Sequence, residues 1–197
     1  MIVKLSERGR VFMTRLLGER LRLWLEASVA SWDQRTPVYV DFNSVIGFDA
    51  PSADQCFGLF LEQMRAGERE PVCLCLVNTT RDQAEHMGMV LSQRNLCLVA
   101  TGRWGWALVG KIAQGIDEVV DSLHAAATPL RPRELADQVG IAGPAAGNRL
   151  RRLWLGGVLL RQEEQVPHGW EYAYGLPPRV MQRARLTGVE ALYSQRP

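Results

Sequence analysis

The chain has 197 residues, 47% hydrophobic and 22% charged, enough to bury a sizeable core in one large or two small domains, and this composition excludes a disordered chain. A formal net charge of +2 gives no whole-molecule argument for a polyanionic partner, so any basic character must be local. Four cysteines and three histidines without metal-ligand spacing, and no apolar run of about eighteen residues, predict no metal, no cofactor, no membrane span and reduced thiols in a cytoplasmic protein.

In chain order, Ile2 to Leu5 and Arg10 to Met13 are expected to pair as a hairpin around Glu7-Arg8-Gly9. A helix follows from Thr14 as N-cap, with Leu17, Leu21, Trp24, Leu25 and Val29 at helical spacing, and ends before Pro37. Val38 to Phe42 reads as a short β-rich strand. Asp49-Ala50-Pro51-Ser52-Ala53-Asp54 opens a second helix that runs to about Met64. The nearly unbroken apolar run from Pro71 to Val77 predicts a strand buried on both faces. Residues 82–92 form a short helix, and Leu96 to Thr101 and Trp104 to Val109 form an antiparallel pair joined at Gly102-Arg103. Trp104 and Trp106 fall on one face of their strand, where core or dimer packing is the preferred reading over a ligand platform. Strands alternating with helices give an α/β fold with a mixed sheet.

The run Gly9 to Arg22, followed by Val38-Tyr39-Val40-Asp41-Phe42, then Val45 and the small, acidic helix start Asp49 to Asp54, resembles the STAS-like domain of unknown function found in bacterial proteins. Such domains are similar to the anti-sigma factor antagonists, in which a serine at the start of the corresponding helix is phosphorylated and the domain docks onto a protein partner. Carried onto this chain, the resemblance implies regulatory positions at Asp49 and Ser52. Both are also preferred helix caps, each worth about 1 kcal/mol with no further function, and that simpler reading is favoured. A phosphate on Ser52 would meet the favourable end of the helix dipole but also the charges of Asp49 and Asp54.

Asp41, at the end of its strand, can be read as a catalytic carboxylate or as a group that ties down the next loop. The structural role is preferred, because His86, His124 and His168 fall on separate elements and build no nucleophile-base set by local spacing. No glycine-rich phosphate loop is present. No catalytic residue is assigned, and the chain is not expected to be an enzyme.

Past residue 112 the punctuation changes. Ile116, Val119, Val120 and Leu123 predict a helix. Pro132 suits a first helical turn, Gly140 stops the helix over 132–139, and Gly143-Pro144 opens another. In that third helix, about 144–155, Ala146, Leu150, Leu153 and Trp154 form an apolar stripe. Asn148, Arg149 and Arg152 lie away from the stripe and Arg151 at its border. Gly156-Gly157 ends the helix, and Val158 to Arg161 and Trp170 to Tyr174 predict two strands around a polar loop. Residues 125–161 carry six arginines against two acids, so the basic character is concentrated here.

Residues 113 to 176 resemble a winged helix-turn-helix domain of the bacterial transcription-regulator type. The resemblance implies a recognition helix in the major groove, with arginines that can pair with guanine and Asn148 with adenine, and a hairpin near the phosphate backbone. The expected DNA-binding set is Asn148, Arg149, Arg151, Arg152, Arg131 and Arg133. Glu163 and Glu164 at the hairpin oppose a phosphate there.

The sequence therefore predicts a STAS-like α/β sensing or docking domain over residues 1–112, a winged helix-turn-helix domain over 113–180 and a tail over 181–197. The expected function is transcriptional regulation through double-stranded DNA, by a homodimer, with a protein partner for the N-terminal domain and no membrane. The alternative is a protein-docking adaptor of the anti-sigma antagonist type, switched at Ser52, that touches no DNA. An enzyme acting on nucleic acid ranks third.

Overall fold

A computed structural model describes residues 1–30, 35–126 and 128–182. Residues 183–197, most of the expected tail, lie outside the described residues. The protein is a mixed α/β structure around a five-stranded sheet. Its elements begin with β1 (Ile2–Lys4), β2 (Val11–Phe12), α1 (Arg15–Val29), β3 (Val38–Asp41) and β4 (Gly47–Phe48). Helix α2 (Ala50–Ala53) passes through a π-helical turn into α3 (Leu59–Ala66), followed by β5 (Leu74–Val77), α4 (Arg81–Gln93), β6 (Cys97–Gly102) and β7 (Gly105–Gly110). The chain continues through α5 (Ile116–Ala126), α6 (Pro132–Val139), α7 (Gly143–Leu155), β8 (Leu160–Val166), β9 (Gly169–Gly175) and α8 (Pro178–Met181).

Strand order in the main sheet is β1-β3-β5-β6-β7, parallel except for the antiparallel β6-β7 pair. Each parallel connection steps the same way across the sheet, and right-handed crossovers that do so place their helices on one face. Helices α1, α3 and α4 accordingly share one apolar cluster with Val3, Val40, Leu76, Leu98 and Val109. That leaves the alternate side chains Tyr39, Cys75, Val77, Val99, Trp106 and Leu108 on the opposite face. They are covered by α5 to α8, in a second cluster with Val119, Leu123, Leu150, Leu153 and Val180. The apolar run of β5 has this cause: each of its residues is buried, against one layer or the other.

The second layer is fixed to the sheet by polar contacts as well. The Leu74 N–H donates to the Gly157 carbonyl at 2.8 Å, and the Cys73 thiol contacts the Val158 carbonyl at 3.5 Å. Gly157 has φ +77°, and a Cβ there would lie 3.0 Å from the Val72 carbonyl oxygen and 2.8 Å from Met64 Cε. At the other end of the layer, Arg179 sits over the Tyr39 ring at 4.8 Å.

The expected N-terminal hairpin does not form. β1 pairs in parallel with β3 and β2 in parallel with β4, because those partners bury Val3 and Phe12, 4% and 2% exposed, which an isolated hairpin would leave in water. Thr14 caps α1 as expected, accepting from the Leu17 N–H at 3.2 Å. Trp104 and Trp106 do not share a face. Trp104 lies in the β6-β7 turn, donates to the Thr79 carbonyl and packs on the first cluster, whereas Trp106 is fully buried in the second.

Candidate nucleic-acid interface

Helices α6 and α7 pack through Leu135 and Ala136 against Ala146 and Leu150, all buried. Pro132 starts α6, where its missing N–H is harmless, and Gly140, in the left-handed conformation, ends it. Pro144 likewise sits in the first turn of α7. Ala146, Leu150, Leu153 and Trp154 face inward, which turns Asn148, Arg151 and Arg152 to solvent. No side chain of these three or of the exposed Arg133 makes a hydrogen bond or ion pair with another described residue.

Two arginines of the expected set are engaged. Arg131 is the N-cap residue of α6; its N–H donates to Glu134 Oε2 at 2.8 Å and its guanidinium pairs with Glu134 Oε1. Those hydrogen bonds hold the Glu134 carboxyl below its ordinary range. Arg149 does not point away from the rest of the molecule. It donates to the Gly115 carbonyl at 3.2 Å and lies 3.9 Å from the Glu118 carboxylate at the start of α5. Arg149 and Arg151 thus exchange the places expected of them. Arg149 stands three residues from Ala146 and four from Leu153, so at 3.6 residues per turn it borders the stripe, whereas Arg151 has only Trp154 of the stripe at such a step.

Arg151 and Arg152 flank α7 on opposite sides. The charge of Arg151 is felt by Tyr174 on β9, and that of Arg152 by Cys97 at the start of β6. Burial nonetheless pushes the Cys97 thiol up to about 11. The β8-β9 hairpin turns at Pro167-His168 and is tied to the end of α7 by Arg161. Its guanidinium lies 3.5 Å above the Trp154 ring and 4.2 Å from that of Tyr172, a cation–π sandwich. Arg161 is therefore a structural cation. Beyond it the hairpin carries Glu163, Glu164 and Glu171 with no lysine or arginine, and exposes Trp170, 68%, and Tyr172, 41%.

The other singled-out residues lie on the sheet side of the molecule. Asp49 caps α2, accepting from the Ser52 N–H at 2.8 Å. Ser52 is 0% exposed, and its hydroxyl donates to the Thr14 carbonyl at 2.8 Å, tying the start of α2 to the start of α1. Asp41 accepts from the Asn43 N–H and the Asn78 amide, at 2.9 and 2.8 Å, in the loop-fixing arrangement. Among the described residues no cluster of His, Cys, Asp and Glu could hold a metal ion, and no helix is long and apolar enough to cross a membrane.

Comparison of the chain with protein-family models, with curated proteins and with solved structures finds no significant match.

Proposed function

We propose that this protein is a DNA-binding transcriptional regulator of the cytoplasm, in which residues 113–180 act as a winged helix-turn-helix domain and residues 1–112 as a STAS-like regulatory domain. The observation that carries this reading is the outward face of α7. Asn148, Arg151 and Arg152 are exposed there on the second helix of a tightly turned pair, the element that enters the major groove in such domains. Arg151 and Arg152 are the guanidinium groups left for bases or phosphates, Arg133 adds a third from α6, and Arg131 and Arg149 serve as organisers of the layer. A homodimer, doubling the contact of one short helix, is part of the proposal, and sedimentation at twice the chain mass checks it.

The test is titration of a labelled random-sequence duplex at several salt concentrations. Arg151→Ala and Arg152→Ala should each weaken binding and lower the salt dependence, by about 0.9 in log–log slope per lost phosphate contact. Duplex binding unchanged by both would overturn the reading.

A protein-docking adaptor is the second reading, and one feature favours it. Val11, Met13, Leu16 and Ile46, 49 to 70% exposed, form an apolar patch around β2 and β4 near the start of α2. A phosphate switch at Ser52 would have to open the contact between α2 and α1, because the hydroxyl is buried there. The adaptor reading requires that no salt-dependent duplex binding be found at all.

A further inference from the structure

Charge is unevenly distributed on the two sides of α7. On the hairpin side Glu163, Glu164 and Glu171 accompany Arg151, which acts on Tyr174, Arg131, which is paired with Glu134 and feels Glu164 and Glu171, and Arg161, which is held between Trp154 and Tyr172. On the opposite side Arg152 shares a recess of about 70 Å³ with Lys111, from the β7-α5 loop, and Arg65, at the end of α3. Lys111 is exposed, and its backbone N–H donates to the Leu96 carbonyl at 2.8 Å, so its position is set by the sheet. Arg65 is 44% exposed, and its guanidinium donates to the Arg94 and Asn95 carbonyls, both at 3.2 Å, which orders it at the rim.

Of the carboxylates near this side, Glu118 and Glu62 each face a guanidinium, and Asp117 lies beside Glu118 in the first turn of α5. Glu118 has Arg149 at 3.9 Å, and Glu62 has Arg65 at 3.7 Å and Arg94 in direct contact. The three cations come from the helical layer, the inter-layer loop and the sheet layer, and a polyanion lying along α7 would meet them in succession.

We infer that the DNA backbone is gripped on the side of α7 away from the β8-β9 hairpin, by Lys111 and Arg65 of the N-terminal half, continuing the basic surface that begins at Arg152. The inference rests on the proposed DNA binding and adds to it a phosphate-contact surface outside the helix-turn-helix segment. The acidic hairpin then stands off the duplex, and the N-terminal half is part of the footprint. This gives a direct route by which a ligand or partner on that half could alter affinity.

The test is the random-sequence duplex titration on the full chain with Lys111→Gln, Arg65→Gln and the double hairpin variant Glu163→Gln with Glu164→Gln. Each loss of one phosphate contact should weaken binding about fivefold near 0.1 M salt and lower the slope by about 0.9. The hairpin variant should leave both nearly unchanged. Because Arg65 also braces the Arg94-Asn95 turn, its variant is read only beside a matching thermal melt, and Lys111→Gln carries the test alone if that melt shifts. Wild-type binding by Lys111→Gln, while Arg152→Ala weakens it, would overturn the grip and leave the proposed function standing. Tighter binding by the hairpin variant with no effect at Lys111 would place the backbone on the hairpin side instead. No loss of binding with any of these variants, Arg151→Ala and Arg152→Ala included, would remove both.

Discussion

The Arg149 guanidinium lies over Gly115 and donates to its carbonyl at 3.2 Å, so a side chain there would have to push the guanidinium aside. A Cβ on Gly115 would fall 2.8 Å from that guanidinium, at a backbone φ of +75°. Both features predict that Gly115→Ala destabilises the protein by about 1–2 kcal/mol, through left-handed backbone strain and displacement of Arg149 from the start of α5. Chemical denaturation would show this as a lower midpoint at constant slope, and an unchanged midpoint would contradict the contact.

Because the two apolar clusters lie on opposite faces of one sheet, the halves of the chain should unfold together. Calorimetry of the full chain is expected to give a single transition with equal calorimetric and van't Hoff enthalpies. Residues 1–112 expressed alone would expose Tyr39, Val77, Val99, Trp106 and Leu108 and should aggregate or bind a hydrophobic dye. A soluble, cooperatively folding fragment would show that the layers are independent.

Gly157 sits where the two layers are stitched, and Gly157→Val should cost more than 2 kcal/mol, since a β-branched side chain at φ +77° must also displace Met64 and the Val72 carbonyl. A smaller loss of stability would mean that the turn can move off the sheet.

Ser52 separates packing from switching. Ser52→Ala removes a buried hydrogen bond to Thr14 and should cost about 1 kcal/mol, because that carbonyl still accepts from the Gly18 N–H. Ser52→Asp brings a carboxylate into a site with no exposure and should cost several times more. Equal stability of the two variants would show that the position tolerates charge and would revive the switch.

Stability toward acid should depend on the pairing of Asp54 with Arg94. The hydrogen bond from Arg94 lowers the Asp54 carboxyl below its ordinary value. A lowered folded-state pKa gives stability that is present above the unfolded value, about 3.9, and is lost as pH falls through the folded one. Asp54→Asn should therefore flatten the fall in stability below about pH 4 relative to wild type, as read by urea melts at successive pH values. Parallel curves would exclude the pair as a contributor.

The boundaries of α6 and α7 were legible because Pro132, Gly140, Pro144 and Gly156 punctuate them through local backbone chemistry. So were the strands of the sheet, whose apolar runs need no knowledge of their partners. The pairing of β1 and β2 was not, since a short polar loop fits a hairpin locally while the partners that bury Val3 and Phe12 lie more than thirty residues on. The places of Arg149 and Arg151 follow from spacing as well, because Arg149 stands three residues from Ala146 and four from Leu153 while Arg151 neighbours only Trp154 of the stripe, so the opposite expectation came from the angular arithmetic and not from the packing. The meeting of Arg65, Lys111 and Arg152 was beyond local reading, because the sheet brings together residues 41 to 87 positions apart.

Whether the outward face of α7 holds the duplex is decided by salt-dependent binding of the Arg151→Ala, Arg152→Ala double variant. The log–log salt slope should fall by about 1.8 and affinity near 0.1 M salt by more than about tenfold, with the thermal midpoint unchanged. Wild-type affinity and slope in that variant, or no duplex binding by the wild-type protein, would contradict that role of the α7 face.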